Sequence, residues 1–250
     1  MRAILYIGHG TRSKKGANEA KTFLNRVFSE VDMEIQEISF LELTKPFIDE
    51  GFTRCIERGA TSICVVPVFL LAAGHIKTDI PEALKPLRKK YPHIPVEMAE
   101  PFGVCDDILN AMVELIKDTV PDTSKDDSVL IVGRGSSDPA IHQSFKEITK
   151  GVRARLGTNE VQVCYLAATT PTFQEGIHQI CEKAKGRVIV VPYLLFEGLL
   201  LAEMRAEVQK RKKEGEPVIL TRALGKHRTM LDIVAKRAAS EEGQYATSHH

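Results

Sequence analysis

Ala3-Ile4-Leu5-Tyr6-Ile7-Gly8-His9-Gly10 is an apolar run closed by one imidazole between two glycines. The run reads as a buried strand, and residues 14–31 carry the apolar spacing of an amphipathic helix. A strand that ends in Gly-His-Gly sets its imidazole at the carboxyl end with no bulk on either side. In open parallel sheets that edge is where ligands bind. The stretch also occurs a second time. Val129-Leu130-Ile131-Val132-Gly133-Arg134-Gly135-Ser136 mirrors it, with Arg134 where the first copy has His9.

Working outward, the repetition holds at one spacing. His9 and Arg134 are 125 residues apart, and so are Pro46 and Pro171, Gly51 and Gly176, and Pro67 and Pro192. Several dissimilar motifs at one constant offset indicate a tandem duplication. The period is too long for a solenoid repeat. Within the first copy, strands are expected over 2–7, 34–40, 62–68 and 96–99. Helices are expected over 14–31, from Pro46 as a first helical residue to about 58, over 80–91 and over 104–117. The reading is therefore an α/β fold of two similar lobes, each a four-stranded parallel sheet flanked by helices, with a cleft between them. The lobes are expected at 1–120 and 128–240, with 121–127 as a polar linker and 241–250 as a polar tail.

Composition narrows the class. With 43% hydrophobic and 27% charged residues, the chain has the balance of a soluble globular protein. A net charge of +1 gives no nucleic-acid footprint. The longest apolar runs, at 63–74 and 188–196, fall short of the roughly 20 residues that span a membrane. The five cysteines form no Cys-x-x-Cys pair, so neither a disulfide framework nor a metal cluster is indicated. A cytoplasmic protein acting as a monomer is expected, with no nucleic-acid or membrane partner.

Differences between the copies point to the chemistry. In the first copy His9, Glu42 and His75 each follow a strand, 33 residues apart each time. Their counterparts are Arg134, Ala167 and either Leu199 or Leu200. Groups that follow successive parallel strands share one sheet edge and can converge. Two imidazoles and a carboxylate suit a first-row divalent metal with open positions. They suit proton abstraction near neutral pH equally well. Singly, each residue has an ordinary explanation as a cap or a solvated group; their joint absence from the second copy favours function. The Gly-x-Gly turns match neither a P-loop nor a dinucleotide fingerprint. His93, His142, His178 and His227 lie on helices or loops and are expected to have surface or packing roles without a paired partner.

Gly8-His9-Gly10-Thr11-Arg12, Glu42 with Pro46, and Val66-Pro67 followed by Gly74-His75 and Asp79-Ile80-Pro81 resemble the class II tetrapyrrole chelatases. Gly133-Arg134-Gly135-Ser136-Ser137-Asp138-Pro139 and Pro192-Tyr193-Leu194-Leu195-Phe196 resemble the long two-repeat sirohydrochlorin chelatases of bacilli. The resemblance spans residues 3–240. It implies a lyase that inserts Fe(II) into sirohydrochlorin to form sirohaem, releasing two protons. The alternatives are the cobalt-inserting reaction of cobalamin synthesis and, in another class, a non-catalytic nickel- or cobalt-binding protein. The divalent metal (Fe2+, Co2+ or Ni2+) is then a substrate, and no permanently bound cofactor is expected.

The resemblance also implies roles. His9 and His75 deliver the metal, and His9 leads as the base. Glu42 is catalytic and helps hold the complex. Leu70-Leu71-Ala72-Ala73-Gly74 and the stretch Tyr193-Leu194-Leu195-Phe196 are expected as apolar walls for the flat macrocycle. Arg134, with Ser136 and Ser137, is expected to hold its rim carboxylates.

Overall fold

The computed structural model describes residues 1–72 and 74–240. The first copy holds β1 (Arg2–Gly8), α1 (Lys14–Phe28), β2 (Ile35–Phe40), α2 (Ile48–Glu57), β3 (Ser62–Pro67), α3 (Ile80–Lys90), β4 (Val96–Met98) and α4 (Asp106–Thr119). A π turn, His75–Asp79, leads into α3. The second copy holds β5 (Ser128–Gly133), α5 (Pro139–Leu156), β6 (Glu160–Tyr165), α6 (Phe173–Lys183), β7 (Val188–Pro192), α7 (Leu199–Lys213), β8 (Val218–Leu220) and α8 (Arg228–Ala239). Each copy supplies one four-stranded parallel sheet, in the orders β2-β1-β3-β4 and β6-β5-β7-β8. The duplicated α/β architecture read from the sequence is thus what the chain forms.

Strand order positions the site. From β1 the chain moves to β2 on one side, then crosses back to place β3 on the other. The direction of winding reverses between β1 and β3. Their carboxyl ends therefore flank a crevice that no crossover helix covers, the switch point at which open α/β sheets bind ligands. Residues 3–7 of β1 are fully buried, as a central parallel strand covered on both faces must be. Leu5, Ile7 and Val65 pack with Phe52 of α2 and with Ile80 and Leu84 of α3. In the second sheet Leu130, Val132 and Val190 pack with Ile177, Ile180 and Met204.

Two repeated motifs have direct physical causes. The Glu50 carboxylate accepts from the Phe47 amide at 2.6 Å at the start of α2, and Glu175 accepts from Thr172 at 2.7 Å at the start of α6. Each satisfies an amide that a helix start would otherwise leave unpaired. Gly51 and Gly176 follow one residue later. A Cβ at Gly51 would sit 2.8 Å from the Leu5 side chain, and one at Gly176 2.5 Å from Cys164. Only glycine lets these helices lie so close to their sheets. Pro46 is not the first helical residue, contrary to expectation. Its carbonyl accepts from Phe40 at 2.8 Å, and Phe47 bridges to Phe40, so the backbone there extends the sheet and α2 begins at Ile48.

The sequence repeat and the compact units differ by an exchange of two helices, α4 and most of α8. Among the described residues one unit comprises 1–103 and 231–240; the other is Val104–Met230. The compact units therefore divide the chain at other points than the expected lobes at 1–120 and 128–240, and 121–127 lies within the second unit. The tail at 241–250 lies outside the described residues. The cause is the packing of α4. It buries Ile108, Met112, Leu115 and Ile116 and lies against α5, where a Cβ on Gly151 would meet Leu109 at 2.6 Å. Glu114 of α4 pairs with His227 at 2.9 Å, and Asp118 with Arg222 at 2.9 Å. In the first unit Arg237 of α8 donates to the Phe102 carbonyl at 3.0 Å. His227 is thus a paired group, and so is His178, 3.3 Å from Glu182. His142 faces the Tyr165 hydroxyl and the Thr169 hydroxyl at 3.5 and 3.4 Å.

Burial pushes the Cys55 and Cys164 thiols up to about 12, so neither is a ready thiolate. Among the described residues no helix is long and apolar enough to cross a membrane.

Asp127 anchors the segment that precedes β5. Its carboxylate takes two bonds from the Arg187 guanidinium, at 3.0 and 2.8 Å, and one from the Arg187 amide at 2.9 Å. Those bonds hold its carboxyl down to about 2, against an ordinary 3.8. A depressed carboxyl stabilises the fold above its unfolded value, and that stability is lost as the pH falls through the folded value. Asp127 should therefore contribute about 2 kcal/mol at neutral pH, disappearing between about pH 4 and pH 2. Denaturant unfolding of Asp127→Asn should show a deficit of that size at pH 7 and little deficit at the acid end of the window. An equal deficit at both pH values would contradict the linkage.

Candidate active site

His9 follows β1, and the backbone places it against Glu42. The ladder between β1 and β2 continues past the strands, with Leu41 donating to Gly8 at 2.9 Å and Glu42 to His9 at 3.1 Å. Beyond it, the Thr44 hydroxyl accepts from the Thr11 amide and donates to the Thr11 carbonyl, both at 2.9 Å. Gly10 makes this zipper possible. It holds φ at +92°, and a Cβ there would lie 1.7 Å from the Glu42 carbonyl oxygen. Gly135 has the same role in the second copy, with φ of +96° and a Cβ that would lie 1.8 Å from the Ala167 oxygen. The Gly-x-Gly stretch is thus a close backbone crossing that sets the residue between its glycines beside the loop after the next strand. In the first unit those neighbours are an imidazole and a carboxylate, with His9 Nε2 3.6 Å from Glu42 Oε1. Leu43, next to Glu42, holds φ of 61°, a conformation that costs a leucine about 1–2 kcal/mol. Its counterpart Ala168 holds 62°, so the loop shape belongs to the fold and the carboxylate to the first unit alone.

His75 arrives from the other side of the switch point, at the head of the π turn after β3. Its Nε2 lies 3.1 Å from His9 Nε2, with ring centroids 4.6 Å apart and ring planes at 86°. Phe69 lies beside both rings, at 6.2 Å from His9 and 6.5 Å from His75. The second nitrogen of each ring faces an oxygen. His9 Nδ1 is 3.1 Å from the Gly10 carbonyl, and His75 Nδ1 is 2.6 Å from Asp79 Oδ2. A carbonyl and a carboxylate only accept, so each Nδ1 carries the hydrogen and donates. Each Nε2 then bears a lone pair, and the two lone pairs face one another. A shared cation, either a proton or a divalent metal, stabilises that arrangement. Two imidazole nitrogens at about 2.1 Å from one metal, at right-angle to tetrahedral geometry, stand roughly 3.0–3.4 Å apart. The observed separation lies in that range.

The arrangement is open. Among the described residues no three or more His, Cys, Asp or Glu side chains close into a metal cage. The His9 side chain is 21% exposed and Glu42 48%, so a large flat molecule can reach both. An open pair of nitrogen ligands with a carboxylate beside it can hold an ion and release it.

The other expected site residues divide. Leu70, Leu71 and Ala72 are half-buried in the loop after β3, which is tethered where Phe102 and Gly103 donate to the carbonyls of Phe69 and Leu70, each at 2.9 Å. Ala73 lies outside the described residues. Gly74 is exposed at the start of the π turn. In the second unit Arg134 is exposed at the end of β5, the place His9 has in the first. Ser137 is exposed, whereas the Ser136 hydroxyl accepts from the Asp138 amide at 3.1 Å at the start of α5. The expected wall at 193–196 needs correcting. Tyr193 and Leu195 are buried, with Tyr193 edge-on to Phe145 at 5.3 Å, which leaves Leu194 and Phe196 half-buried. Burial raises the Tyr193 phenol well above its usual value. Asp79, to which no role is assigned from the sequence, is brought against His75. Its signal was the His-x-x-x-Asp spacing ahead of Pro81.

The CbiX family profile matches residues 3–119 and 128–241, once for each copy. The chain is 41% identical over 249 residues to a sirohydrochlorin ferrochelatase of Priestia megaterium, covering 98% of this chain and 94% of that protein. It is 29% identical over 249 residues to a sirohydrochlorin cobaltochelatase of the same organism, covering 97% of this chain and 80% of that one. The solved structure of SirB from Bacillus subtilis with Fe3+ superposes with a TM-score of 0.85 at 37% identity, covering 98% of both chains.

Proposed function

This chain belongs to the CbiX family, and from that premise we propose that it is a sirohydrochlorin ferrochelatase, a lyase that inserts Fe(II) into sirohydrochlorin to give sirohaem. The observation that carries the reading is the pair of facing Nε2 atoms, 3.1 Å apart, each with its Nδ1 anchored to an acceptor. Insertion exchanges one divalent ion for two pyrrole protons. His9 and His75 hold the incoming ion through Nε2, and Glu42 stands beside His9 as a further oxygen ligand. As the ion passes to the ring, the freed nitrogens and the carboxylate become proton acceptors at the place where the pyrrole protons leave. The half-buried Leu70, Leu71 and Ala72 offer apolar surface to the macrocycle face. Proton transfer is assigned to the first unit, since Arg134, Ala167 and either Leu199 or Leu200 stand in the second where the first has its three polar groups.

Anaerobic mixing of the full chain with metal-free sirohydrochlorin and Fe(II), followed by absorption, tests the reading. Metallation well above the rate in buffer supports it. No acceleration would overturn it, and clear preference for Co(II) would move the chain to the cobalt reaction. Arg134→Ala should raise KM for sirohydrochlorin by about 10- to 100-fold with a smaller change in kcat. A charge-assisted hydrogen bond made in both ground and transition states is worth roughly 1.5–3 kcal/mol, and its loss weakens binding uniformly. Steady-state kinetics showing the loss in kcat alone would refute this role.

A further inference from the structure

We infer that Asp79 is a positioning residue that fixes the metal-binding nitrogen of His75, and that Pro81 builds the turn that presents it; the inference rests on the proposed role of His75 as a ligand. Among the described residues, the site group that the Asp79 carboxylate meets is His75. Its Oδ2 lies 2.6 Å from His75 Nδ1. By accepting that hydrogen it commits the Nε2 lone pair to the side facing His9. A ligating histidine held in this way keeps its tautomer and ring orientation and gains basicity.

The turn has a cause in the sequence. Proline has no N–H, and its ring clashes with the carbonyl four residues back in an α-helix, here that of Lys77. The chain answers by widening the preceding turn, with the Ile80 amide donating to the His75 carbonyl five residues back. The second copy shows the alternative. There either Leu199 or Leu200 stands in the place of His75, and α7 runs Leu199–Lys213 as an α-helix that contains no proline. The widened turn thus accompanies the imidazole and the proline in one unit, and an α-helix without proline takes its place in the other.

Structural need does not explain the pair. The His75 and Asp79 side chains are 34% and 47% exposed, and exposed ion pairs contribute little to stability. Asp79→Ala and Asp79→Asn should therefore melt within about 2 °C of the parent chain. Co(II) titration of the full chain without sirohydrochlorin, read by visible absorption, should show Asp79→Ala binding about 10- to 100-fold more weakly. Asp79→Asn keeps an acceptor oxygen and should retain most of the affinity. Nitrogen NMR of His75 should report the Nδ1–H tautomer in the parent chain and a shift towards Nε2–H in Asp79→Ala. Unchanged Co(II) affinity, an unchanged tautomer, an equal loss in both variants or a large fall in melting temperature would each overturn the inference. If the parent chain binds Co(II) yet never metallates sirohydrochlorin, the functional reading fails and the role of Asp79 stands. If metallation proceeds and Asp79→Ala binds Co(II) normally, the role of Asp79 alone fails.

Discussion

His9→Ala is expected to lower kcat for metallation by roughly 10²–10⁴-fold, the range for loss of a positioned acid or base, while sirohydrochlorin binding changes little. His9 is the one side chain next to both other polar groups of the first unit, 3.1 Å from His75 Nε2 and 3.6 Å from Glu42. On the proposed roles its removal would take away a metal ligand and a proton acceptor together, and it would break the facing pair of nitrogens. Both functions belong to the passage of metal into the ring, so the loss falls on kcat. His75→Ala should resemble it, because the two nitrogens act as a unit and their losses are not additive. Single-turnover absorption with a separate measurement of macrocycle affinity checks the split. Near-normal turnover in His9→Ala would refute the assignment.

Gly10→Ala is expected to destabilise the first unit by about 3 kcal/mol or more and to abolish metallation in the fraction that remains folded. Two costs combine. Alanine is strained at φ of +92°, and its Cβ would fall 1.7 Å from a backbone oxygen, which cannot swing aside as a side chain can. The oxygen belongs to Glu42, so relief of the clash parts His9 from the carboxylate. Gly135→Ala is the matched control. Its backbone penalty is the same, with φ of +96° and a contact of 1.8 Å, but the oxygen belongs to Ala167. Both variants should lose similar stability, roughly 6–12 °C in Tm for a chain of this size. Only Gly10→Ala should lose kcat in its folded fraction, whereas Gly135→Ala, which disturbs the crossing beside Arg134, should act on KM. Thermal melts paired with activity per folded molecule separate the two effects. Equal activity losses in the two variants would show that the crossing at Gly10 serves stability alone.

The duplicated fold was legible because its motifs have local causes that act twice. Glu50 and Glu175 cap helices, Gly51 and Gly176 admit close packing, and Gly10 and Gly135 permit a backbone crossing. Each leaves a residue type at a fixed offset, so the repeat survives where the other side chains diverge. That His9, Glu42 and His75 come together was legible because each follows a strand of one parallel sheet. Features decided by tertiary packing were not. The apolar stripe of α4 is that of any amphipathic helix, and nothing in it says that Leu109 will pack against Gly151 of the next repeat. Tyr193 and Leu195 look like exposed loop residues, since a short loop has no periodicity from which burial can be read. Asp79 was named in a motif but given no role, because its spacing from His75 gains meaning only in the turn ahead of Pro81. Pro46 was misread as a helix start because its carbonyl is spent on the sheet.

The central claim is that one divalent ion is held between the imidazoles of His9 and His75. Anomalous diffraction from crystals of the full chain soaked with Co(II) tests it most directly. The predicted result is a peak at about 2.0–2.3 Å from Nε2 of both histidines, a range slightly wider than that for zinc, and its loss in His9→Ala crystals. A peak confined to other histidines, such as His178, with none shared by His9 and His75, would contradict it.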